Sequence, residues 1–376
     1  MFSDRIETLR SELPLFVDII ENATAEDVRR VLSKGKIGLN DFAVLLSRTA
    51  HDHFVEELAQ RAKYETKKRF GNTMKLYVPL YVSDHCTNCC SYCSFSAVNR
   101  IDRHHLKFED AKKEIDFLAK KGFKSLLLVA GEEKKIVNIS YLSDIISYAK
   151  TKFSSVSIEI APLEEDEYRQ LVNVGLDAST IYQETYNRER YMMYHRGTKR
   201  NYIKRMDYID YMAKAGVRRI GIGALLGLSE VNEEVFFQFH HIKYILSTYW
   251  QTSVSLSFPR LRPMIGGFQP NDIVEDKRLV QIISAFRIAF NQIDLVLSTR
   301  ESASFRDNML GIGITQISAG SKTTIGGYLE EDEADFSQFE IADDRTVEEV
   351  VAELKQRGFD PVWKDWEGVM YDTIHV

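Results

Sequence analysis

From residue 76 onward, short apolar runs alternate with longer stretches in which apolar residues return every three or four positions. The first pattern suits buried strands and the second amphipathic helices. Strands are predicted at 76–83, 125–131, 156–162, 178–184, 218–227, 253–260, 294–299 and 313–319. Helices are predicted between them at 108–122, 139–152, 164–175, 201–216, 231–249, 276–291 and 302–311. Apolar strands separated by helices indicate a parallel sheet buried on both faces. Eight such units in roughly 250 residues fit an α/β fold of the (β/α)8 TIM-barrel type. A doubly wound open sheet is the runner-up, but no G-x-G-x-x-G turn follows the first strand.

The first 75 residues carry helical periodicity alone and are read as an N-terminal helical leader. Within it, Thr24-Ala25-Glu26-Asp27 has the form of a helix cap, and the stretch from His53 to Arg69 ends at Gly71. Residues 76–320 form the barrel, and 321–376 a C-terminal extension that caps it. The extension holds a helix at 346–357, followed by Pro361-Val362-Trp363-Lys364-Asp365-Trp366. There is no repeat beyond the barrel rhythm.

Composition narrows the class. Hydrophobic residues make up 44 % of 376, enough for a large core. The net charge is −6, with Lys and Arg dispersed, so neither a nucleic-acid groove nor a basic membrane-binding face is expected. The opening Met1-Phe2-Ser3-Asp4-Arg5-Ile6-Glu7 does not resemble a signal peptide, and apolar runs such as 126–130 are far too short to span a membrane. A cytoplasmic protein is expected.

All four cysteines fall within Cys86-Thr87-Asn88-Cys89-Cys90-Ser91-Tyr92-Cys93, just past the first predicted strand. A disulfide framework would spread them, so this clustering points to metal. The stretch divides either into two abutting C-x-x-C units, which suggests zinc, or into C-x3-C-x2-C through Cys86, Cys90 and Cys93, with Cys89 spare. Zinc sites usually separate their cysteine pairs by about a dozen residues or more, so that the pairs reach the ion from opposite sides. Without that spacer, three thiolates from one loop suit three corners of an iron–sulfur cubane, its fourth iron open to a small molecule. The loop also lies at the C-terminal end of a strand, the face on which these barrels carry active sites.

This cysteine spacing after the first strand, with Tyr92 before the last cysteine, resembles the signature of the radical S-adenosylmethionine (SAM) superfamily. Nearly the whole chain is similar to the tyrosine lyases of bacterial thiamine biosynthesis, the 2-iminoacetate synthases. The likeness is carried by Arg69-Phe70-Gly71-Asn72-Thr73, Tyr77-Val78-Pro79-Leu80-Tyr81 and Tyr182-Gln183-Glu184-Thr185-Tyr186. It continues in Phe258-Pro259-Arg260-Leu261-Arg262-Pro263, Leu297-Ser298-Thr299-Arg300-Glu301 and Pro361-Val362-Trp363-Lys364-Asp365-Trp366.

The resemblance implies a [4Fe–4S] cluster on Cys86, Cys90 and Cys93, with SAM on the open iron. Tyr92, Gly131, Glu132, Gln183, Glu184, Arg205 and Leu226 are then cofactor-binding residues. Gly131-Glu132 would meet the SAM amino group, although Ala130 stands where the superfamily usually has a further glycine. Arg205 would hold the SAM carboxylate, and Gly221-Ile222-Gly223-Ala224-Leu225-Leu226-Gly227 would lie beside adenine. On the residues alone, a solvated helix charge is the lesser reading of Arg205, while the glycine-rich strand reads equally as barrel packing, and Gln183 and Glu184 equally as structural. Arg300 and Ser318 would hold the substrate carboxylate, the planar fork of Arg matching its two oxygens. Arg260 and Arg262 either line the pocket or, the preferred reading, pair with barrel acids. His104-His105 and His240-His241 are read as surface or loop positions.

The implied reaction cleaves the Cα–Cβ bond of L-tyrosine to 2-iminoacetate (dehydroglycine) and p-cresol, with SAM converted to 5′-deoxyadenosine and methionine. Implied partners are a thiazole synthase that consumes the imine, and an electron donor such as flavodoxin or ferredoxin. A related lyase that matures hydrogenase needs a second, cysteine-bound cluster near its C-terminus, and no cysteine follows Cys93. A tryptophan lyase and a non-catalytic metal-binding scaffold are the other readings.

Overall fold

The strands form where the apolar runs lie: β1 Thr73–Ser83, β2 Ser125–Ala130, β3 Ser155–Glu159, β4 Ala178–Glu184, β5 Arg219–Ala224, β6 Ser253–Ser257, β7 Asp294–Leu297 and β8 Gln316–Ser318. The computed structural model describes residues 1–262, 267–329 and 337–363. Each strand pairs in parallel with its sequence neighbours, and β8 pairs with β1 through Leu76 and Ile317. That last pairing closes the sheet into an eight-stranded barrel and excludes the open-sheet alternative. The connecting helices are Phe108–Lys120, Ile139–Lys150, Glu165–Asn173, Tyr202–Lys214, Val231–Thr248, Asp276–Ala289 and Ala303–Asn308.

Side chains alternate across each strand, and here the alternation sorts chemistry. On β1, Leu76, Val78, Leu80 and Val82 pack in the main core, while Tyr77 and Tyr81 line an interior cavity. On β3, Val156 and Ile158 join the core, and Ser157 and Glu159 turn inward. The sheet is therefore buried on both faces, as the sequence predicts, yet its inner face is partly polar.

The leader lies along the side of the barrel. Helix Val55–Phe70, which ends at Gly71 with φ 64°, packs against helix Asp276–Ala289. Phe16 meets Phe236 with ring centroids 5.1 Å apart, and Phe42 meets Phe286 at 4.9 Å. Polar ties add to this seam: Arg278 Nη1 donates to the Leu46 carbonyl (2.7 Å) and Gln281 Nε2 to that of Leu45 (2.8 Å). His241 departs from the sequence reading. It is 1 % exposed and stacks on Phe2 with centroids 4.0 Å apart, because helix Val231–Thr248 is covered by the leader.

The C-terminal extension divides. Its first part lies over the C-terminal strand ends: Gly326 N donates to the Tyr81 carbonyl (2.9 Å) and Ala342 N to that of Thr299 (2.8 Å). Helix Val347–Gln356 then leads to a short strand, β9 Asp360–Val362, which pairs with the opposite end of β1 through Thr73. Pro263, Lys364, Asp365 and Trp366 lie outside the described residues. No described helix is long and apolar enough to cross a membrane.

Candidate functional site

The cysteine loop is held by what flanks it rather than by its own secondary structure. Arg103 donates to the carbonyls of Asp84 (2.7 Å), Phe95 (2.9 Å) and Ser96 (2.7 Å). Asn88 Nδ2 donates to Glu132 (2.8 Å), and its Oδ1 accepts from Lys199 N (2.9 Å). Gly131 N donates to the Ser83 carbonyl (2.8 Å), bringing the β2 end against the loop so closely that a Cβ on Gly131 would collide with the His85 backbone. Tyr92 OH bonds His195 Nε2 at 2.6 Å, while His195 Nδ1 lies 2.7 Å from the Tyr191 carbonyl. Burial and Lys199 hold that imidazole neutral, with its pKa at about 2, so Nδ1–H donates to the carbonyl and Nε2 accepts from Tyr92.

Cys86, Cys90 and Cys93 border one cavity, and Cys89 is not among its lining residues. Burial pushes all three thiols up, Cys93 to about 11, and Lys199 pulls them back. Among the described residues no three His, Cys, Asp or Glu side chains converge on a point that would hold a single ion. The C-x3-C-x2-C spacing on this one cavity is that of three corners of a cubane.

Opposite the thiols stands a buried charge network. Arg205 Nη1 reaches Glu132 at 3.1 Å, its Nη2 reaches Glu184 at 3.5 Å, and its Nε donates to the Tyr182 carbonyl at 2.7 Å. Lys199 Nζ lies 2.7 Å from Glu184 and 3.8 Å from Glu132. Burial alone would raise both acids, but Arg205 and Lys199 outweigh it and hold them below their usual range. Glu184 has φ 69°, the one positive φ outside glycine among the described residues, at a register shift between β4 and β5. Strain of this kind gathers at functional sites.

A second cavity adjoins the first, and Val129, Glu159, Tyr182, Pro259, Arg300 and Phe339 border both. Arg300 lies with its guanidinium carbon 3.4 Å from the Phe339 ring centroid. Ser318 lines the second cavity and accepts from Thr299 N (3.1 Å). Arg260 pairs with Glu301 (Nε to Oε1, 2.9 Å) and Asp276 (2.8 Å), whereas Arg262 lines the first cavity.

Two sequence assignments move by one residue. Gln183 does not face the cavity: its Nε2 donates to the Tyr202 carbonyl (3.4 Å) in the helix layer, since strand alternation turns its neighbours Tyr182 and Glu184 inward instead. Leu226 packs in the core, and Leu225 takes the cavity wall. Sequence reasoning missed Lys199, Glu159 and the tail residue Phe339. Only Glu159 had a signal, its inward parity on β3.

Residues 80–239 match the Radical SAM superfamily, and 257–360 match the Biotin and Thiamin Synthesis associated domain. The chain is 42 % identical over 353 residues to the 2-iminoacetate synthase of Escherichia coli (strain K12), covering 93 % of each chain. It is 41 % identical over 350 residues to that of Salmonella typhimurium, covering 93 % of this chain and 92 % of the other. Among solved structures it is similar to the FeFe-hydrogenase maturase HydG from Carboxydothermus hydrogenoformans, with TM-score 0.89 and 28 % identity, covering 97 % of this chain and 86 % of that one.

Proposed function

The chain belongs to the 2-iminoacetate synthase family of the radical SAM superfamily, and on that premise we propose which of its residues carry out a tyrosine Cα–Cβ cleavage and where the product goes. The observation that carries the reading is the pair of adjoining cavities. One is bordered by the three thiols and a Glu–Arg–Lys network, the other by Arg300 and Ser318.

Cys86, Cys90 and Cys93 hold three irons of a [4Fe–4S] cluster, on a loop fixed by Arg103, Asn88 and Tyr92. When bound, the cluster and SAM would supply one-electron radical chemistry, and the chain's own residues would place the substrate against it. Gly131 and Glu132 meet the SAM ammonium, Arg205 and Lys199 its carboxylate, and Leu225 its adenine. Arg300 and Ser318 take the tyrosine carboxylate. Phe339, brought over the strand ends by the C-terminal extension, helps keep water from reactive species.

The imine product hydrolyses in water. A thiazole synthase that consumes it for the thiazole of thiamine is therefore the expected partner, and a flavodoxin or ferredoxin the expected reductant, in the cytoplasm. Coupled thiazole formation tests the handover. The mixed proteins should use the imine more efficiently than imine released to bulk solution, and equal efficiency would make direct transfer unnecessary. The chain has no cysteine after Cys93 for the second cluster of a hydrogenase-maturing lyase.

A further inference from the structure

One acid in the chamber has neither a task in this scheme nor a charged partner within 4 Å among the described residues. Glu159 ends β3 on its inward face and borders both cavities, as does Arg300. Glu132 and Glu184 each have Arg205 and Lys199 within 4 Å, but the Glu159 carboxyl has no ion pair or hydrogen bond among the described residues. Burial pushes its carboxyl up to about 7 although Arg300 pulls the other way. A carboxyl taken out of water without a partner is unfavourable, and a donor or cation supplied by a ligand would relieve it.

The chemistry of the substrate says which donor. In an α-amino acid the ammonium group is one carbon away from the carboxylate, while the phenol lies at the far end of the side chain. An acid that borders the same two cavities as Arg300 is a candidate partner for the amino group when Arg300 holds the carboxylate. Their shared wall is where the two cavities meet, so a hydrogen to be removed must lie beside it. An ammonium group has no lone pair to stabilise a radical left on nitrogen, whereas a neutral amine does.

We propose that Glu159 binds the amino group of tyrosine and takes one proton from its ammonium form, leaving the neutral amine from which the hydrogen atom is then removed. The step is a simple proton transfer: one N–H bond breaks, one carboxyl O–H forms, and no electron changes hands. A base with a pKa near the working pH is suited to that transfer. The proposal rests on the assignment of Arg300 to the carboxylate.

The test uses the reconstituted holoenzyme with L-tyrosine, its deaminated analogue 3-(4-hydroxyphenyl)propanoic acid, L-phenylalanine and tyramine. The wild-type enzyme should bind the deaminated analogue at least tenfold more weakly than tyrosine, and equal binding overturns the proposal whatever the variants do. In Glu159→Gln that preference should collapse, and p-cresol formation should fall at least a hundredfold. Iron content, SAM affinity and the preference for tyrosine over phenylalanine should stay unchanged. Glu159→Asp should restore part of the activity. Loss of the preference over phenylalanine instead would place Glu159 at the phenol and overturn the proposal, as would full turnover in Glu159→Gln. Tyramine, which lacks the carboxylate, reports on Arg300 alone. If Arg300→Ala still disfavours tyramine, the carboxylate assignment has failed separately.

Discussion

Arg300 and Ser318 lie at neighbouring strand ends, and Arg300 has its guanidinium against an aromatic ring rather than a carboxylate. That leaves the fork available to a substrate. Removing it strands a carboxylate in a closed pocket, a loss typically of about 2–5 kcal/mol. Arg300→Ala should therefore weaken tyrosine binding more than tenfold, since each ~1.4 kcal/mol is a factor of ten. Arg300→Lys should recover only part, and SAM affinity should hold in both. Anaerobic titrations of tyrosine and SAM on one preparation check this, and loss of SAM binding alone would contradict it. At the thiols, Cys89→Ala should retain iron, while alanine at Cys86, Cys90 or Cys93 should lose it, read by iron and sulfide analysis. The cysteine spacing singled out the three thiols that border one cavity. Gln183 and Leu226 were not placed correctly because motif likeness gives a segment, whereas the facing of each side chain depends on the strand's parity and on the shift beside Glu184.

At the scale of elements, all eight barrel strands were legible, because each has an apolar outer row packed under helices. β5 and β6 stop short of their predicted ends, at Ala224 and Ser257, where the chain turns to build cavity walls, while β1 starts three residues early, at Thr73. The three-residue β9 was not legible. Its Asp360-Pro361-Val362 carries no pattern, and its pairing comes from β1, far away in sequence. The approach of β2 to the cysteine loop gives a direct test. In Gly131→Ala the new methyl group meets the His85 carbonyl, with its carbon at 2.9 Å and Asp84 C at 3.2 Å. Overpacking of this kind costs about 1–3 kcal/mol, and backbone cannot swing aside as a side chain can. Thermal denaturation should show a lowered Tm, and reconstitution should yield less iron per chain. Wild-type values of both would mean the loop is not braced by β2.

Taken whole, the molecule is a closed barrel with a leader laminated on one side and a tail reaching both ends. The barrel was legible from rhythm, but the leader's position was not, since its helices announce a buried face without naming what covers it. One buried link makes the stability depend on pH. Glu234 accepts from Thr185 Oγ1 and from Tyr186 N (2.9 Å), joining the β4 exit to helix Val231–Thr248. Burial, only partly offset by those bonds, raises its pKa from 4.5 to about 8. The folded state thus keeps a proton that the unfolded state releases, so stability falls as pH rises above 4.5 and levels off above 8. The slope from this one proton is at most about 1.4 kcal/mol per pH unit. Glu234→Gln keeps the shape without the ionisation, its one amide oxygen able to accept from Tyr186 N and its NH2 to donate to Thr185 Oγ1, so urea denaturation between pH 5 and 8 should show a flatter dependence than wild type. Equal slopes would contradict the assignment.

The central claim is tyrosine Cα–Cβ cleavage, and anaerobic turnover with SAM, dithionite and each aromatic amino acid in turn tests it most directly. L-Tyrosine should give p-cresol and 2-iminoacetate, the latter trapped as glyoxylate, together with 5′-deoxyadenosine and methionine, and tryptophan should give no cleaved product. Cleavage of tryptophan but not tyrosine, or no SAM cleavage by iron-replete protein, would contradict the account.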